Sequence, residues 1–189
     1  MFSKISLWWK FEGRYYHKDF ANGVKNLWKW FPVVWKDRDW DHSHILEVLK
    51  FKISKQADYI SRRGIHINAK RDVEIMRTVC RLIERMQEDY YGLEYGDYHK
   101  TEYKFVPTDE TKEWYTMESE LISEKFGAYF AKYSRQYKRV MSGEIKKYTG
   151  TPSEKSKMNI ALEIACENQE RCNRLIFKIL EENLQRWWD

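Results

Sequence analysis

Three prolines and eight glycines in 189 residues leave few places where a helix is forced to stop. Alternation of β-branched residues is almost absent, which argues against a β-rich fold. The three cysteines, Cys80, Cys166 and Cys172, are odd in number and form no Cys-x-x-Cys pair, so a zinc ribbon or dithiol redox centre is excluded and all three read as reduced, structural thiols. No run approaches the roughly 20 apolar residues that a spanning helix needs. The opening MFSKISLWWKFEGR has neither a long apolar stretch nor a small-residue cleavage site. The expectation is a cytoplasmic protein with no membrane partner. Also missing are a Gly-rich phosphate loop, a Gly-x-Ser-x-Gly elbow, a His-Glu-x-x-His pair and a repeated Glu-x-x-Glu pattern, so no familiar catalytic machinery is declared.

What is present is an apolar and aromatic chain dense in charge. Hydrophobic residues make up 42% and charged residues 33%, too apolar for disorder and of a length suited to one domain. Thirty-four basic side chains against 29 acidic ones give a net charge of +5, which favours anionic partners only weakly. Nine tryptophans and thirteen tyrosines offer large rings for a core or for stacking on planar ligands.

Apolar spacing predicts an all-α protein of about five main helices in a single domain, 1–189. The first runs from 18 to 31 and is stopped by Pro32. The second starts after an Asp41 cap and ends at Gly64, and the third runs from an Asn68 cap to near Gly92. Residues 92–107 lose the helical period and read as an irregular segment or short β-hairpin. A long helix follows from 109 to 141. The last opens on the capping box Thr151, Pro152, Ser153, Glu154 and carries an apolar stripe from Met158 to Trp187 over about 35 residues. A stripe that long needs a cover, so a homo-oligomer is expected, with Trp187 and Trp188 in its contact. The polar turn 142–155 is a candidate hinge.

The stretch WFPVVWKDRDWDHSH, 30–44, concentrates rings and titratable groups. Asp37, Asp39 and Asp41 imitate the start of a calcium loop, but the sixth position is His42 where glycine is required and the twelfth is Val48 where a bidentate glutamate is required. A different metal site with His42 or His44 stays open. So does a simpler role, in which Trp30, Phe31, Trp35 and Trp40 wedge two helices while Arg38, His42 and His44 rim a pocket. On the third helix Arg77, Arg81 and Arg85 form a ridge at i, i+4 and i+8, followed by Tyr90, Tyr91, Tyr95 and Tyr98. Guanidinium groups beside rings suit a base and its phosphate together. The candidate ligand-binding set is therefore Arg38, His42, His44, Arg77, Arg81, Arg85, Tyr91 and Tyr95, with no catalytic residue, resident metal or cofactor assigned.

At KNLWKWFPVVWKDRDWDHSHILEVLKFK and LIFKILEENLQRWWD the chain resembles a group of uncharacterised proteins encoded by tailed bacteriophages. The resemblance implies a phage origin and no particular activity. Three readings follow. The first is a non-enzymatic protein that sequesters a small anionic, nucleotide-like ligand such as a host defence signal. The second is a nucleic-acid-associated protein using Lys25, Lys29, Lys50, Lys52 and Lys55. The third is a metal-dependent phosphohydrolase built on Asp37, Asp39, Asp41, His42 and His44.

Overall fold

A computed structural model describes residues 6–37, 43–64, 67–108, 114–146 and 156–187. Among them the chain is mainly helical with one small antiparallel sheet, and eight helical segments stand where about five were expected. No helix among the described residues is long and apolar enough to cross a membrane. Contacts divide the chain into two compact units, Met1–Gln56 and Ala57–Asp189.

The first unit begins with a π-helical turn, Trp9–Gly13, that runs directly into α1, Arg14–Val34. Gly13 is buried, and a Cβ there would meet the rings of Trp9 and Trp8 at 2.7 and 3.0 Å, so only glycine fits under those indoles. Pro32 does not stop α1 as expected. A proline blocks the hydrogen bond from its own nitrogen but leaves the residues after it free to continue, and the helix closes three residues later, where the Trp35 amide reaches the Phe31 carbonyl at 2.9 Å. The aromatic wedge is also smaller than expected. Trp30 packs edge-on against Phe51 with centroids 4.8 Å apart, whereas Phe31 and Trp35 are exposed and meet each other at a tilt; Trp40 lies outside the described residues. Helix α2, Ser43–Arg63, ends at Gly64, which takes φ +56° and whose amide bonds to Ile60, as the left-handed stop predicts.

The second unit is organised around α7, Lys157–Asn183, whose 27 residues extend about 40 Å. Its start is set by Ser156, whose hydroxyl accepts from the Asn159 amide at 3.2 Å; the expected capping box at 151–154 lies outside the described residues. Helix α3, Ala69–Gln87, lays Met76, Val79 and Ile83 along the Cys172, Ile176 and Leu180 side of α7, all buried. Asp72 at the start of α3 is 1% exposed and accepts from Arg186 at 3.0 Å. Helix α3 ends sooner than expected, because Asp89 turns left-handed at φ 47° and restarts the chain as α4, Tyr90–Gly96. Helices α5, Phe126–Lys132, and α6, Ser134–Met141, close a second cluster in which Phe126, Tyr129 and Val140 meet Ile160 and Ile164. With α3, α4, α5 and α6 all against it, the stripe on α7 is covered within the chain, and Trp187 is 4% exposed. The reason given for an oligomer seam on α7 therefore does not hold; Trp188 is outside the described residues.

The largest departure lies between α4 and α5. The long helix expected from 109 to 141 is instead strand β2, Tyr115–Glu124, followed by the two short helices. β2 pairs antiparallel with β1, His99–Pro107, in a register that sets Phe105 opposite Met117 and Thr101 opposite Leu121. A bulge between Lys100 and Thr101 interrupts it. Apart from His99 and Thr101 every residue of the two strands is exposed, so the hairpin is a solvated arm. Its base is fixed where the Lys125 amide meets the Tyr98 carbonyl at 2.8 Å.

Candidate functional site

In the second unit a cleft of about 450 Å3 opens where α3 gives way to α4, where α5 breaks into α6, and along the middle of α7. Each wall has a local cause. The left-handed Asp89 swings Tyr90 and Tyr91 beside Arg85, and the Asp89 carboxylate fills the space that a Cβ on Gly92 would take. Tyr133, at φ −109° and ψ 43°, interrupts α5 and α6 and turns Lys132, Tyr133 and Gln136 to the same hollow. α7 contributes Asn168, Arg171, Cys172 and Leu175 at i, i+3, i+4 and i+7, one helical face.

Arg85 spreads over the Tyr90 ring, 5.0 Å from its centroid, and lies beside the Tyr91 hydroxyl. The two rings meet edge to face at 5.2 Å. Arg85 and Arg171 have no carboxylate partner among the described residues. Lys132 is different: it pairs with the buried Glu94, which also accepts from the Tyr133 hydroxyl. That hydrogen bond holds the Lys132 ammonium above the usual lysine range. Burial pushes the Tyr91 hydroxyl up, with Arg85 opposing, and pushes the Cys172 thiol up against the same guanidinium. A thiol held protonated is a poor nucleophile, so Cys172 acts as a small apolar wall that donates to the Leu82 carbonyl at 3.5 Å.

One polar group in the wall is unfinished. Gln136 donates to the Asn168 carbonyl oxygen at 3.0 Å, but the buried Asn168 amide nitrogen has no partner among the described residues. A buried donor left unmade carries a penalty that a ligand acceptor would relieve. A neighbouring hollow of about 380 Å3 shares Tyr90 and Lys132 but is walled by Glu88, Glu94 and Asp97, which repel an anion. The cationic cleft is thus bounded on one side by negative charge.

Of the residues expected from sequence, Arg85 and Tyr91 line this cleft. Arg81 lies elsewhere on α3, bound to Glu74 at 2.9 Å and to Thr78, and Arg77 is exposed on the same helix. Tyr95 is half-buried and stacks on His99 with centroids 5.1 Å apart. His44 belongs to the first unit, 3.6 Å from Asp37; Arg38, Asp39, Asp41 and His42 lie outside the described residues. Among the described residues no group of three or more His, Cys, Asp or Glu is placed to hold a metal ion. In the lysine set, Lys50 is paired with Glu47 at 3.0 Å and Lys55 lies over the Phe51 ring. Sequence reasoning missed Lys132, Gln136, Asn168 and Arg171. The available clue was Asn168, an amide on the apolar stripe of α7.

The chain matches no family model, and neither a curated protein nor a solved structure is significantly similar to it.

Proposed function

We propose that this chain is a binding protein that captures a small anionic ligand carrying a planar ring, a nucleotide-like molecule, in the cleft between α4, the α5–α6 break and α7. The phosphate sits against Arg85 and Arg171, the ring lies on Tyr90 or Tyr91, and an acceptor on the ligand takes the free Asn168 N–H. The observation that carries this reading is a pair of arginines that, among the described residues, have no carboxylate partner, beside a buried amide donor that has no acceptor there. Guanidinium forks match phosphate oxygens in pairs, and rings add stacking that tolerates different bases. The volume falls inside the usual range for small-molecule sites, roughly 300–1,000 Å3. Sequestration of a host defence signal in a host cytoplasm, as a phage-encoded protein would achieve, rests on the sequence resemblance alone.

Titration calorimetry and thermal shift with linear and cyclic nucleotides, with inorganic phosphate as the control, test the reading. The expected outcome is a raised melting temperature with at least one nucleotide and not with phosphate. Arg171→Ala weakens that binding roughly tenfold or more, since a hydrogen bond to a charged group contributes about 1.5–3 kcal/mol. No shift with any nucleotide at a large excess over micromolar affinity overturns it.

A further inference from the structure

An apolar face, exposed among the described residues, runs the length of α1. Tyr16, Phe20, Val24, Leu27, Trp28, Phe31 and Val34 recur at three- and four-residue spacing, and Trp35 continues the row just past the helix. All eight are exposed, Leu27 at 73% and Trp28 at 79%. The face extends about 28 Å. Trp28 stacks on Phe31 along it with centroids 6.2 Å apart, and Phe31 meets Trp35 at a tilt, 5.1 Å apart. Helix α1 meets α2 through Trp30, on a different side, so this contact leaves the row open. The opposite face carries Lys18, Lys25 and Lys29, while the helix holds a single acidic residue, Asp19.

We infer that α1 is an in-plane membrane helix that seats its aromatic face at the surface of an anionic bilayer. Three features select this occupant over a second copy of the chain. A coiled-coil seam is a narrow stripe of Leu, Ile and Val, whereas this face is broad and made largely of Trp, Tyr and Phe, the rings that settle at headgroup level. A seam between two copies on this row would leave the lysines of the opposite face without a role, whereas the same lysines are complementary to anionic headgroups. A helix with one broad apolar face, a basic polar face opposite and too few apolar residues overall to enter the bilayer core is also the pattern of helices that lie on a membrane surface. The sequence set membranes aside because no apolar run spans one; an in-plane helix needs no such run.

Co-sedimentation of the full chain with vesicles of phosphatidylcholine, and of phosphatidylcholine with phosphatidylglycerol, tests the inference. Binding is expected to the anionic vesicles, with a blue shift in tryptophan emission, and to weaken with salt. Each lysine near the surface contributes roughly fivefold to partitioning, so the triple variant Lys18→Glu, Lys25→Glu, Lys29→Glu loses well over tenfold. The double variant Leu27→Asp, Phe31→Asp, with circular dichroism showing it folded, loses vesicle binding and keeps any nucleotide shift from the cleft in the other unit. The inference is overturned if the chain ignores both vesicles, if the triple variant binds as well as the parent, or if light scattering finds a dimer that the double variant dissolves, which would make the face a seam between copies.

Discussion

Tyr129 lies within α5 and Tyr133, four residues on, at the α5–α6 break itself, and their hydroxyls fare differently. Tyr133 donates to Glu94, while the Tyr129 hydroxyl is buried with no partner among the described residues. Burial first, then the nearby Glu94 carboxylate, holds both above the ordinary tyrosine value of 10.0. Below about pH 10 both are neutral, folded or unfolded, and their contribution is flat. Above it the unfolded chain releases protons that the folded chain retains, so the unfolded state binds fewer and stability falls as pH rises. For the fully buried Tyr129 the slope reaches at most about 1.4 kcal/mol per pH unit. Urea midpoints are therefore expected to hold from pH 7 to 9 and to drop above pH 10. Tyr129→Phe removes only an unsatisfied hydroxyl, so it leaves the neutral-pH midpoint unchanged or higher and makes the alkaline drop shallower.

Among the elements, those whose period is unambiguous were legible in the sequence. The stop at Gly64, the long stripe of α7 and the neighbourhood of Arg85 and Tyr91 could be read from spacing and turn chemistry, whereas the start after Asn68 was right in place only, since the Asn68 side chain makes no cap bond. Strand β2 could not, because Met117 and Leu121 are four residues apart and four residues return to one face in a helix and in a strand alike. Nothing in the residues between them breaks the tie. Asp89 concealed the end of α3, since a left-handed aspartate has no fixed signature. The cleft was only half visible: Arg85 and Tyr91 are close in sequence, but Arg171 and Lys132 join them through packing alone. The exposure of the hairpin has its own energetic outcome. Replacing Tyr103 and Phe105 by serine changes stability by no more than about 1 kcal/mol, because neither ring is buried, while Ile164→Ala in the core costs about 2–5 kcal/mol. Chemical denaturation of the three variants gives the comparison.

At the scale of the whole molecule, the second unit depends on contacts of great sequence separation. Arg186 reaches Asp72 across 114 residues, Cys172 reaches Leu82 across 90 and Gln169 reaches Met86 across 83. Every one of them involves α7 or the turn that follows it, so the helices against which α7 packs precede it in the chain. During synthesis Met76, Val79 and Ile83 leave the ribosome well before Ile176 and Leu180 exist to cover them, and the second unit has no path to completion until its final helix has emerged. The interval is a window for chaperone capture or aggregation. Nascent chains arrested with residue 155 just outside the exit tunnel are expected to be digested rapidly from residue 69 onward. Chains arrested with residue 187 clear of the tunnel resist the same protease, and equal resistance at both lengths would mean that α3 to α6 fold without their cover.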